Sequence, residues 1–134
     1  MVVATVLSTR GATPRKPGTR MLVTATDAEA TIGGGELEAR VIAAARALLA
    51  SGGPSAELPI TLDGQPGAAG VCGGAMRIAL RRWQGAADQA RVAAIAAQLR
   101  AGSTVTLDAG DLGAEGAGEV LQPDPRLLII GGGH

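Results

Sequence analysis

Cys72 is the only cysteine of the chain and stands in the stretch GAAGVCGGAMRI, with Gly67, Gly70, Gly73 and Gly74 around it. A cysteine of purely structural use generally sits as a small hydrophobe within a strand or helix. Here its neighbours offer almost no side chains to pack against, and the backbone is free to take unusual dihedrals. Sulfur chemistry suits such a setting. Glycine amides turned toward the sulfur would favour the thiolate, the form that binds a metal or accepts sulfur. Bare backbone would also let a bulky group come within contact distance. The competing reading is a small residue tolerated in a tight turn. A zinc site is excluded by spacing, because it needs further Cys or His ligands and the single histidine is His134.

Two more glycine-bearing loops carry candidate groups. GATPRKPG (11–18) sets Thr13, Arg15 and Lys16 between Pro14 and Pro17, so charged donors stand on a stiffened backbone. Guanidinium forks grip phosphates and carboxylates at two points, which makes this a candidate anion loop; a solvated hairpin loop is the alternative. IGGGELE places Gly33, Gly34 and Gly35 where a helix begins, and free amides there favour an anion. Glu36 and Glu38 oppose that use, since acids in the first turn satisfy the helix dipole and repel phosphate. A tight strand-to-helix turn explains the same glycines.

Charge is neutral overall, with 12 Lys and Arg against 12 Asp and Glu, which argues against nucleic acid as a partner. The distribution is uneven. Arg10, Arg15, Lys16 and Arg20 precede the first acid, Asp27, whereas Asp108, Asp111, Glu115, Glu119 and Asp124 face only Arg126 near the other end. Either the two ends attract one another across the fold or the basic loop awaits an anionic ligand. With Trp83 as the only aromatic, the core must be Ala, Val, Leu and Ile, and no aromatic platform exists for stacking on a ring. A lone cysteine makes no internal disulfide. No apolar run approaches the roughly 20 residues of a membrane span, and no signal peptide is readable. A cytoplasmic protein is the expectation.

These groups must be positioned by alternating elements. Strands are expected at 2–8, 19–26, 58–62 and 76–83, with loops at 9–18 and 63–74. A short strand and a glycine turn lead into a helix over 35–51, where Leu37, Val41, Ala44 and Leu48 recur at helical spacing. Glu36 and Arg40 form an i,i+4 pair, and Gly52 and Gly53 end the helix. A second helix spans about 87–100 with Asp88, Val92, Ile95 and Leu99 on one stripe. Two short strands joined by a Gly and Asp turn follow, over 103–109 and 118–122. RLLIIGGGH then reads as a buried-type strand running into three glycines. The fold class is α/β, a small mixed sheet with two main helices.

The order and spacing of GATPRKPGTRMLV, TIGGGELE, VCGG and LLIIGGGH resemble the XdhC/CoxI family, accessory proteins of molybdenum hydroxylases such as xanthine dehydrogenase. The resemblance implies a cofactor chaperone rather than an enzyme. Such a protein binds molybdenum cofactor (molybdopterin or its nucleotide form), supports its sulfuration by a cysteine desulfurase, and hands it to the apo-hydroxylase. By motif, the cofactor-binding positions are Gly11, Thr13, Pro14, Arg15, Gly18, Gly33, Gly34, Gly35, Glu36, Glu38, Cys72, Gly73 and Gly74, with Cys72 as a metal-facing ligand or transient persulfide. Many members carry two adjacent cysteines, or Met-Cys, before the Gly-Gly; here Val71 precedes Cys72. The resemblance further implies a domain over 1–124 and, over 125–134, the first strand of an incomplete Rossmann domain, of whose fingerprint Gly131 and Gly133 supply the first half.

Two other function classes stand beside this one. GGGELE and IIGGGH suggest a fragment of an NAD-binding oxidoreductase, although neither completes a dinucleotide fingerprint. The apolar end of the chain suggests a remnant that only dimerises, and a homo-oligomer is expected on the same ground.

Overall fold

The computed structural model describes residues 1–125. Strand β1 (Val2–Arg10) is the β-branched run, and Val2, Ala4 and Val6 turn to one face at the two-residue period and are buried. It is the centre of a five-stranded sheet in the order β3-β2-β1-β5-β4, with β2 at Arg20–Val23, β3 at Ala28–Glu29, β4 at Ser55–Thr61 and β5 at Ala75–Arg82. Every pairing in this sheet is antiparallel. The α/β class thus holds, and the sheet expected as mixed has no parallel pair among the described residues. The short strand expected just before Gly33 lies slightly earlier, at Ala28–Glu29, where it pairs with β2 across a tight turn.

Helix α1 (Gly35–Ser51) has the bounds its pattern predicts, and the left-handed C-cap Gly52 donates its amide to the Leu48 carbonyl. Leu37, Val41, Ala45 and Leu48 are buried against the sheet face carried by Val2, Ala4, Val6, Met21, Ile60, Met76, Ile78 and Leu80. Ala44, expected on that stripe, packs at its margin. This is the main core, and it is aliphatic throughout.

A second, smaller lobe follows. Helix α2 (Gly85–Arg100) has no fully buried residue: Ile95 and Leu99 pack on Val105, Leu107 and Leu112, while Val92 is 41% exposed and Asp88 is ion-paired. The expected stripe is therefore only half used, because an alanine-rich helix has little to bury. The hairpin of β6 (Val105–Leu107) and β7 (Glu119–Leu121) is joined not by a plain turn but through helix α3 (Ala109–Leu112). A capping box holds it: Asp108 accepts from the Asp111 amide at 2.9 Å and Asp111 from the Asp108 amide at 3.2 Å.

Polar contacts latch the lobe to the sheet. Arg81 donates to the Gly110 carbonyl at 2.8 Å and to Asp88 at 2.8 Å. The Gln84 amide, and then the Arg81 guanidinium, hold the Asp88 carboxyl below the usual carboxylate range. Arg20 of β2 reaches Glu119 of β7 at 2.5 Å. Arg91 of α2 grips Asp111 at 2.6 and 2.9 Å. That grip, joined by the Asp108 amide, lowers the pKa of the buried Asp111. Among the described residues no helix is long and apolar enough to cross a membrane. The strand expected in RLLIIGGGH, and with it the incomplete Rossmann domain, lies outside the described residues.

Asp111 sets a pH dependence. A carboxyl whose pKa is lowered by folding contributes stability that is present above its unfolded value, about 4, and is lost as pH falls through the lowered value. Thermal melts taken from pH 7 to pH 3 are expected to show the second lobe loosening at the acid end. Asp111→Asn, which keeps one acceptor oxygen for the Asp108 amide but removes the charge opposite Arg91, is expected to cost about 1–3 kcal/mol at pH 7 and to flatten that dependence.

Candidate functional site

Register brings three loops to one end of the sheet. Arg10, the last residue of β1, is opposite Ala75, the first of β5, and Ala75 is opposite Thr61, the last of β4. The loop leaving β1 (11–19) and the loop joining β4 to β5 (62–74) therefore emerge side by side. Their backbones touch. A Cβ on Gly74 would run into the Ala12 carbonyl oxygen and stand 2.8 Å from that of Arg10, while one on Gly11 would stand 3.0 Å from the Gly73 carbonyl oxygen. Gly74 is buried, and the requirement for glycine there is steric.

The third loop closes on the first. Gly33 has φ +143°, and a Cβ there would lie 2.7 Å from Leu37 and 2.8 Å from Pro14. Pro14 and the N-terminus of α1 are therefore in contact. The ring is completed from α1 itself, where Arg40 donates to the Gly67 carbonyl at 2.6 Å and the Ala68 carbonyl at 3.3 Å. Of the sequence-expected residues, Gly11, Pro14, Gly33, Gly73 and Gly74 are thus brought together by direct approach. Thr13, Arg15, Gly34, Gly35, Glu36, Glu38 and Cys72 stand beside them on the same three loops. Gly18 is placed elsewhere: its amide bonds the Val6 carbonyl, and a Cβ there would meet Glu119 of the second lobe at 2.9 Å.

The electrostatics of the ring are sorted by what is already paired. Glu38, half-buried, accepts the Ile32 amide at 3.1 Å, and Glu36 accepts Arg40 at 3.0 Å, so both acids of the first helical turn are engaged. No side chain caps α1, whose N-cap is Gly34, and the first amides of a helix have no partner within it. Thr13 donates to the Arg15 carbonyl at 3.1 Å and stiffens that turn. The side chains of Arg10, Arg15 and Lys16 are exposed and make no ion pair among the described residues. Both readings of the charge asymmetry thus find support, since Arg20 crosses the fold to Glu119 while the three cations of the loop do not.

Cys72 is exposed beside Val71, which is 85% exposed. No amide of the described residues hydrogen-bonds its sulfur, so the convergence of glycine amides expected from sequence is not formed. Nor do three or more His, Cys, Asp or Glu residues cluster as a metal cage among the described residues. An open cleft of about 320 Å³, lined among others by Arg10, Pro59, Thr61, Ala75 and Arg77, begins at the same end of the sheet. Sequence reasoning missed the Arg40 grip, which joins residues 27 and 28 positions apart and leaves no local signal.

The two loops that flank Pro14 lie in a stretch, residues 1–61, that matches the XdhC and CoxI family. The Cys72 loop falls outside the matched stretch. No curated protein matches the chain. Among solved structures it is similar to a xanthine dehydrogenase from Bacillus halodurans, with a TM-score of 0.69 at 19% identity. The similarity covers 93% of this chain but only 41% of the other, and at that identity it establishes the fold.

Gly74→Ala tests the backbone contact. With carbonyls on both sides and no side chain to move aside, the substitution is expected to cost about 3 kcal/mol or more, read as a fall in the urea midpoint with an unchanged slope. An unshifted midpoint would mean that the two loops do not touch.

Proposed function

We propose that this chain is the cofactor-handling portion of an accessory protein for molybdenum hydroxylases of the xanthine dehydrogenase type, a carrier rather than a turnover enzyme. Its cargo is molybdenum cofactor, a pterin with a phosphate or nucleotide tail and a dithiolene-bound metal. Sulfuration by a cysteine desulfurase and delivery to the apo-hydroxylase complete the role. The family match over residues 1–61, the fold shared with the Bacillus halodurans xanthine dehydrogenase and the resemblance of VCGG to the family's third motif support the reading.

The observation that carries it is the ring of three glycine loops around Pro14. The donor set fits the cargo. An anionic tail is met by Arg15 and Lys16 and by the uncapped amides of α1, where Glu36 is paired with Arg40 and Glu38 is turned onto the Ile32 amide. A Cβ placed on Gly34, Gly35 or Gly73 meets nothing within 4 Å, so bare backbone faces outward where a polar pterin edge can hydrogen-bond. The Cys72 thiol stands in solvent, open to a ligand-held metal or to a sulfur donor. With no aromatic on the ring, recognition is by hydrogen bonds and charge.

The oxidoreductase reading draws less from the described residues. A dinucleotide turn joins a parallel strand to its helix, whereas Gly33–Gly35 follow an antiparallel edge hairpin.

Two substitutions test the proposal in protein made in a host that supplies the cofactor. Arg15→Ala is expected to weaken retention by about 1.5–3 kcal/mol, the range for a charge-assisted hydrogen bond, with the melting temperature unchanged. Equal retention by variant and wild type would leave the 11–18 loop as a solvated hairpin. Cys72→Ser is expected to keep the fold and to lose hydroxylase activation; full activation by the serine variant would remove Cys72 from the mechanism.

A further inference from the structure

We propose that Arg40 is the positioning residue of the Cys72 loop. Its guanidinium is engaged along its whole edge: Nε donates to Glu36 Oε1 at 3.0 Å, Nη1 to the Gly67 carbonyl at 2.6 Å and Nη2 to the Ala68 carbonyl at 3.3 Å. The first partner is on the opening turn of α1, beside Gly33–Gly35. The other two are in the middle of the loop that carries Cys72. One planar fork thus fixes the distance between two of the three glycine loops.

Few hydrogen bonds from outside reach the middle of the loop. Its own bonds run from the Gly64 amide to Gly70, from Ala68 to Gln65, from Ala69 to Thr61 and from Gly73 to Leu62, all through backbone. Asp63 accepts the Gln65 amide within the loop. Only Ala69 is buried between Asp63 and Gly73, and Val71 and Cys72 face solvent. Among the described residues no side chain other than Arg40 reaches into the loop from elsewhere to form a hydrogen bond. Gly67, whose carbonyl takes the shorter bond, has φ +90°, and as a glycine it has many other conformations open to it once that carbonyl is released. The fork itself matters. Successive carbonyls and a carboxylate are spread along a rigid planar edge that a lysine ammonium, a single point charge, does not reproduce.

Because Arg40 is partly exposed and its carbonyl partners can turn to water, its loss loosens the loop without unfolding the core. The proposal deepens the cofactor reading, and its test is separable from it. Hydrogen exchange followed by mass spectrometry is measured on wild type, Arg40→Ala and Arg40→Lys, without cofactor. Both variants are expected to exchange about tenfold faster over residues 63–74, with the amides of β1 and β5 and the melting temperature unchanged. Unchanged exchange in that loop, or full protection restored by lysine, would overturn the role of the fork; should the alanine variant fail to fold, the lysine variant alone decides. Molybdenum retention on the same proteins speaks to the cargo. Full retention beside a loosened loop would count against the cofactor reading while leaving the positioning role standing.

Discussion

The approach of Gly74 to the backbone of Arg10 and Ala12 sets the shape of the candidate site. Any side chain at position 74 would hold the β4–β5 loop away from the β1–β2 loop. The sheet could still form, since its register depends on Val2–Arg10 and Ala75–Arg82, but the loops would splay. With glycine there, Gly73 stands next to Gly11, and Pro14 on the same loop meets the start of α1. The close backbone contact, more than any one polar group, turns three weak motifs into one surface.

Charge is divided along the same lines. Arginines of β2, β5 and α2 are used structurally: Arg20 and Arg81 each take a carboxylate of the second lobe and tie it to the sheet, and Arg91 takes one within the lobe. Arg10, Arg15 and Lys16 have no such partner among the described residues. Neutral net charge conceals this division between cations that hold the fold and cations that face outward.

Much of this was legible in the sequence. Helix α1 has the predicted bounds because an aliphatic period and Gly52 mark it, and the main strands follow from β-branched runs punctuated by glycine and proline, while their all-antiparallel pairing does not. The three loops could be named as candidates from residue type alone. Their convergence could not, because it depends on which strands pair. The same is true of Arg40, whose i,i+4 partner Glu36 is visible locally while its loop partners are not. Helix α3 left a signal that went unread, the Asp-x-x-Asp of a capping box at Asp108 and Asp111. Gly18 shows the converse. It shares a motif with Gly11, yet antiparallel pairing carries it along the sheet toward Glu119.

That one surface binds one ligand is the central claim, and amide exchange with and without molybdenum cofactor measures it most directly. If the ring is the binding surface, the cofactor will slow exchange at residues 10–16, 33–38 and 67–74 together and leave α2 and the β6–β7 hairpin unchanged. Protection of only one of the three loops, or of the second lobe alone, would contradict it.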